Sequence, residues 1–149
     1  DTAQYRDDGT GSTLSISAVV ADRGTAVVRT YESITLDLSG VNTYTGNTEL
    51  YNSSTLRISG AGQLGSGTYA GNITMNNGAD FNYASSADQT LSGVISDDGG
   101  GDNAFTVSGS GTLTLTGTNT YTGDTTINSG TLEIQNIRLS KFRVLVEKT

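Results

Sequence analysis

Apolar and polar residues alternate in short runs along almost the whole chain, and Gly, Asn, Asp or Ser fill the intervals. Leu14-Ser-Ile16, Ile34-Thr-Leu-Asp-Leu38, Leu56-Arg-Ile58, Ile73-Thr-Met75, Phe81-Asn-Tyr83, Phe105-Thr-Val107, Leu113-Thr-Leu115 and Leu132-Glu-Ile134 all follow this alternation. A period of two marks a strand with one buried face. The runs are too short and too β-branched for helices, and no 3.6-residue pattern outlasts one turn. The intervening residues are those that turn chemistry requires. An all-β chain is predicted.

Part of this pattern occurs twice. With Leu36 aligned on Leu113 and Thr48 on Thr125, nine of the thirteen positions are identical. The flanks agree as well: Thr13-Leu14-Ser15 matches Thr90-Leu91-Ser92, and Leu56-Arg57-Ile58 matches Leu132-Glu133-Ile134 after a one-residue insertion. A strand-rich internal repeat points to a quasi-one-dimensional stack. An antiparallel sandwich has similar strand spacing but seldom repeats a turn motif so faithfully. A right-handed parallel β-helix (β-solenoid) re-uses one corner chemistry on successive coils, and its small side chains let coils stack about 4.8 Å apart. At roughly 20–25 residues per coil, about six coils are expected, with the duplicated unit spanning about three of them.

The repeats occupy residues 12–136. Residues 1–11 are polar and unpatterned, which suits a flexible arm or a strand that orders on contact. Residues 137–149 break the pattern, with no Gly, no Asn and half of the basic residues. Phe142, Val144 and Val146 would share one strand face, opposite Arg143, Leu145 and Glu147. Such a segment serves either as a cap over the last coil or as a strand donated to another subunit. Arg138, Lys141, Phe142, Arg143, Val144 and Val146 are therefore candidates for self-association.

Composition sharpens this picture. Thr, Ser, Asn and Gly make up 72 of 149 residues and hydrophobics only 34%, so the core must be thin and regular. The net charge of −7 divides into −10 over residues 1–136 and +3 over residues 137–149. An acidic body argues against nucleic acid or an anionic membrane as partner. No hydrophobic run approaches the ~20 residues of a membrane-spanning helix. There is no Cys for a disulfide or thiolate site, and no His, the commonest metal ligand and catalytic base.

Candidate chemistry is sparse. The duplicated corners place Asn42, Tyr44 and Gly46 against Asn119, Tyr121 and Gly123. The asparagines are expected to bond their own turn amides and tolerate left-handed backbone. The tyrosines are expected to cover the corner with their hydroxyls in water, a carbohydrate-stacking platform being the alternative. The glycines are expected to permit the turn. Asp97, Asp98 and Asp102 lie on a Gly-rich loop and form a weak calcium candidate, since Ca²⁺ takes six to eight oxygens. The loop matches no standard calcium motif, and a solvated turn is the competing reading. No cofactor other than calcium is suggested. Adjacent carboxylates such as Asp7-Asp8 would face opposite ways on a strand, and a Ser-His-Asp triad lacks its His. An enzyme is not expected. The Thr112-Leu-Thr-Leu-Thr116 run resembles the ladders of ice-binding solenoids, but Thr35, Asp37 and Ser39 break that ladder in the first copy.

Leu91-Ser-Gly-Val-Ile-Ser96, Gly109-Ser-Gly-Thr-Leu-Thr-Leu-Thr-Gly117, Asn119-Thr-Tyr-Thr-Gly123 and Thr125-Thr-Ile-Asn-Ser-Gly-Thr-Leu132 together resemble the passenger-associated repeat of bacterial autotransporters. The resemblance is close over residues 89–136 and looser over 33–60. It implies a right-handed parallel β-helix on, or released from, a Gram-negative cell surface, in proteins that are often adhesins or repetitive stalks. The expected role is a stiff extracellular shaft or adhesin segment. The alternatives are a secreted subunit that assembles end to end into a fibre, and a glycan- or ion-binding module. The expected partners are copies of itself or neighbouring repeats, with a host or matrix glycan or protein as a further one.

Overall fold

The computed structural model describes residues 2–6, 11–22, 25–136 and 144–146. Within them, short strands wind into a parallel β-solenoid of about six turns, with three sheets as its faces. Face 1 contains β1 (Thr2–Arg6), β3 (Val27–Tyr31), β5 (Thr48–Leu50), β8 (Ile73–Met75) and β11 (Ile95–Asp97). Face 2 contains β2 (Thr13–Ile16), β4 (Thr35–Leu38), β6 (Thr55–Ile58), β9 (Asp80–Tyr83), β12 (Phe105–Val107), β14 (Thr125–Ile127) and β16 (Val144–Val146). Face 3 contains β7 (Thr68–Tyr69), β10 (Gln89–Leu91), β13 (Thr112–Leu115) and β15 (Thr131–Ile134). Earlier on the third side, an isolated parallel bridge joins Val41 to Gln63. The only helical turn among the described residues is a 3-10 turn at Gly65–Gly67, so none of them forms a helix long and apolar enough to cross a membrane.

Alternation decides what lies inside. In β4, β6, β9 and β13 every second residue is buried, and the residues between face outward. The registers stack Leu36 on Leu56, Phe81 and Phe105 along face 2, and Leu38 on Ile58, Tyr83 and Val107 beside them. Phe81 and Phe105 are parallel, with ring centroids 5.3 Å apart and planes 7° apart. Each fully buried side chain of this size stabilises by roughly 1.5–3 kcal/mol. A thin lumen of stacked rows thus replaces a globular core.

The coils differ in length. Glu133 lies one short coil beyond its register partner Thr114, at a sequence separation of 19, whereas Asn72 lies one long coil beyond Asn47, at a separation of 25. The duplicated unit therefore does not end on the face where it began. Three coils forward from Leu36, through Leu56 and Phe81, lies Phe105, and Leu113 follows later, on the next face. Thr35–Leu38 lies on face 2 and its repeat, Thr112–Leu115, on face 3; Thr48 lies on face 1 and Thr125 on face 2. The unit spans three coils plus one face, not simply three.

Thr2–Arg6, inside the segment expected as an arm, is the first strand of face 1 and pairs with Val27–Tyr31. At the other end, Val144–Val146 pairs with Thr125–Ile127. Arg138, Lys141, Phe142 and Arg143 lie outside the described residues.

Candidate functional site

The two Asn-Thr-Tyr-Thr-Gly corners are the most elaborate local structures among the described residues, and they are built alike. In the first, the N–H groups of Thr43 and Tyr44 donate to the carbonyl of Val20 at 3.0 and 3.3 Å. In the second, Thr120 and Tyr121 donate to the carbonyl of Ile95 at 2.9 and 3.3 Å. The carboxamide oxygen of Asn42 accepts the N–H of Val20 at 2.9 Å, and that of Asn119 accepts the N–H of Ile95 at 2.8 Å. The oxygen of each asparagine thus pairs with a backbone N–H of the preceding coil and not with an amide of its own turn. Neither has the left-handed backbone that asparagine tolerates. The Asn42 amide also donates to Gly40 and Gln63 carbonyls, whereas Nδ2 of Asn119 has no partner among the described residues.

Two residues beyond Val20 and Ile95 come Asp22 and Asp97. Oδ2 of Asp22 accepts both the N–H and the hydroxyl of Thr45, at 2.8 and 3.3 Å. Oδ2 of Asp97 accepts the same two groups of Thr122, at 2.5 and 3.0 Å. Asp97 is therefore the counterpart of Asp22, a clasp from one coil to the next. Sequence comparison at a constant shift misses this equivalence, because the shift that aligns Thr45 with Thr122 sets Asp22 against Gly99 and not Asp97.

The tyrosines correct an expectation. Tyr44 and Tyr121 are 1% and 2% exposed, with their hydroxyls inside the lumen and not in water. Tyr44 OH lies 3.0 Å from Thr48 Oγ1, which lies 2.9 Å from Tyr69 OH. Tyr69 donates its only hydroxyl proton to the Gly46 carbonyl. A hydroxyl has one proton to give, so Thr48 must donate to Tyr69 and Tyr44 to Thr48, a one-way relay. The second copy keeps its first step, Tyr121 to Thr125, at 2.9 Å. Burial pushes the Tyr44 and Tyr121 hydroxyls up and takes that of Tyr69 to about 12. These phenols are neutral packing elements. As stacking platforms for sugar they are inaccessible.

Gly46 and Gly123 serve close approach and not turning. Neither has positive φ, and a Cβ on them would sit 1.9 Å from the Ala26 carbonyl oxygen and 1.6 Å from that of Asn103. Gly46, Gly71, Gly93 and Gly117 form a column in which a Cβ on each of the last three would strike the carbonyl oxygen of the glycine before it.

The acidic loop does not form the three-carboxylate cluster that its sequence suggested. Asp97 holds Thr122 and Gly99, and Asp98 accepts the N–H groups of Gly100 and Asn77. Asp102 instead lines a hollow with Asp124. No group of three or more His, Cys, Asp or Glu side chains able to hold a metal occurs among the described residues.

An outer feature was not foreseen. On face 1, the Arg6 guanidinium lies 4.7 Å from the ring centre of Tyr31, which stacks on Tyr51 at 5.1 Å with planes 7° apart. Beside them Arg29 binds Glu49 at 2.6 Å, and the Tyr51 hydroxyl reaches the same carboxylate oxygen at 3.2 Å. The register sets Arg6 beside Tyr31 and Arg29 beside Glu49 across coils of unequal length, which the runs in this part of the sequence do not reveal.

A family model described as the passenger-associated-transport-repeat matches residues 35–58 and 100–134. Those two ranges contain both corners. No curated protein and no solved structure matches the chain.

Proposed function

From a chain that carries two passenger-associated transport repeats on a parallel β-solenoid, we propose that this protein is a stiff shaft segment of an autotransporter-like passenger, secreted or displayed at a bacterial surface. The observation that carries this reading is the matched pair of corner clasps, Asp22 on Thr45 and Asp97 on Thr122, each of which ties one coil to the coil after it with side chains. Cross-coil bonds of this kind resist bending of a stack in which each coil touches only its neighbours. The Asn and Tyr side chains of both corners are buried in the shaft, and the half-buried Asp and exposed Thr side chains bond one another across coils, which favours spacer over adhesin and over enzyme.

The test is mechanical. The chain is placed between a surface anchor and a tip epitope, in one or two copies, and the height of the epitope is measured. Each copy should raise it by about 29 Å, six coils at the strand spacing of about 4.8 Å. An epitope whose height does not rise with copy number defeats the shaft reading.

A second reading, end-to-end assembly into a fibre, is favoured by one observation. Leu14 belongs to the row that continues through Leu36 and Leu56, yet it is 38% exposed on β2, the terminal strand of face 2. Unpaired strand edges recruit other strands. Filaments seen by electron microscopy and abolished by Leu14→Arg would establish that reading; a monomer at every concentration would remove it.

A further inference from the structure

Of the eleven asparagines in the chain, Asn77 alone precedes a glycine, Gly78. Every other asparagine precedes a residue whose side chain crowds the following amide nitrogen, and Asn42, Asn103 and Asn119 are buried as well. Asn77 is exposed and, with Gly78, forms the corner between β8 and β9, at φ of +53° and +71°. Asn and Gly are the residues that enter this left-handed region most readily. A Cβ built on Gly78 would meet nothing nearer than Ser53 Oγ, at 3.7 Å, so the space beside it is open. Hydrogen bonds to the coils before and after hold the corner. Nδ2 of Asn77 donates to Oδ1 of Asn52 at 3.1 Å, the Asn77 carbonyl accepts the N–H of Ser53 at 3.1 Å, and the Gly78 N–H donates to the Gly100 carbonyl at 3.2 Å. All three lie at the long end of the ordinary range.

We propose that Asn77 is a site of spontaneous deamidation, reached by local opening of this corner and not by unfolding of the solenoid. The Gly78 nitrogen attacks Cγ of Asn77. The N–Cγ bond forms, the Cγ–Nδ2 bond breaks, and ammonia leaves with the proton that the Gly78 nitrogen gives up. Water then opens the resulting succinimide ring, at Cγ to give aspartate or at the former main-chain carbonyl to give isoaspartate. Asparagine is a thermolabile residue, and glycine in the next position leaves the nucleophile unhindered. What restrains the reaction is the corner itself, because the side chain must release Asn52 and the Gly78 N–H must release Gly100. Opening an exposed corner costs far less than unfolding the whole chain. Isoaspartate carries the main chain through Cβ and lengthens it by a methylene, which pulls Ser53 and Gly100 out of register with their partners. Aspartate adds a negative charge beside Asp98, whose Oδ1 lies 3.4 Å from the Asn77 nitrogen. Either product loosens a corner that joins three consecutive coils.

The experiment holds the full chain near neutral pH, folded in buffer or unfolded in urea, and follows each asparagine over weeks by peptide mapping and mass spectrometry. Asn77 should convert before every other asparagine in both samples, and more slowly when folded. Asn52→Gly removes the acceptor of the Asn77 amide and accepts the φ of +55° at that position. It should speed conversion of the folded chain about fivefold, the factor for one ordinary hydrogen bond, and leave the rate in urea unchanged. Thr48→Val weakens the lumen without touching the corner, so its folded chain should convert Asn77 at the parent's rate. If the reaction needed global unfolding, that rate would instead rise by the full factor of the destabilisation. A folded chain that keeps Asn77 intact while other asparagines convert, or a rate that climbs in Thr48→Val, overturns the proposal.

Discussion

Asp97 and Thr122 are joined twice by one carboxylate oxygen, which takes both the backbone N–H and the side-chain hydroxyl of a residue one coil away. The bond lies at an exposed corner, where water competes, so each clasp contributes modestly, about 1 kcal/mol. Asp97→Ala should lower stability by about that much, and Asp97→Asn, which keeps an acceptor, by less. Urea unfolding monitored by circular dichroism is the check. Equal losses for both variants would show that charge rather than acceptance matters.

Buried relays cost more to break. Thr48 accepts from Tyr44 and donates to Tyr69 in the lumen, so Thr48→Val leaves the Tyr44 hydroxyl without its acceptor, while Tyr69 still donates to the Gly46 carbonyl. The expected loss is about 2–3 kcal/mol, the upper part of the range for one buried group left unsatisfied, because a second bond to Tyr69 goes with it. Tyr121→Phe removes one end of a single bond, to Thr125, and should cost about 1 kcal/mol. Chemical denaturation of the two variants should rank them in that order.

The same tyrosines set an alkaline limit. Burial raises the Tyr69 pKa to about 12 from its ordinary 10. Below pH 10 both folded and unfolded chains hold the proton, and the full stability is present. Between pH 10 and 12 the unfolded chain ionises while the folded chain does not, so stability falls, by roughly 1.4 kcal/mol per pH unit from this residue. Tyr44 and Tyr121 shift in the same direction for the same reason. Urea midpoints should be flat from pH 7 to 9 and drop steeply above 10. A midpoint unchanged at pH 11 would contradict the burial of these hydroxyls.

Glycines at the corners should separate into two classes. Gly123→Ala forces a Cβ to within 1.6 Å of a backbone oxygen and requires adjacent coils to part. Gly99→Ala meets nothing within 4 Å, though its φ of +70° carries some strain. The first should cost at least about 3 kcal/mol, the second about 1 kcal/mol. Comparable losses would mean that the coils are less tightly stacked than their registers indicate.

Much of the strand pattern was legible from local alternation. Leu36 and Leu38, or Leu113 and Leu115, point inward because the pleat has a period of two, and that property needs no knowledge of distant residues. The corner motif was legible as a motif, and its chemistry was not. Asn42 was expected to bond its own turn amides; it bonds its turn only at the Gly40 carbonyl, and its oxygen takes the N–H of Val20 in the preceding coil. Tyr44 was expected in water and instead reaches Tyr69 through Thr48. Both errors come from reading a corner alone when its partners belong to the coils before and after it.

The amino-acid order by itself determined that this chain forms short strands, which side of each strand is apolar, and that two corners share one chemistry. These follow from pairwise and next-neighbour sterics and from side-chain type. Only the tertiary structure decided which face each strand joins and what each corner side chain meets. Position around the solenoid is the running total of every preceding coil, and coils of unequal length add up to a one-face rotation between the copies. A small local difference in loop length is invisible in the repeat itself, yet it accumulates along the axis and turns the second copy onto another side of the shaft.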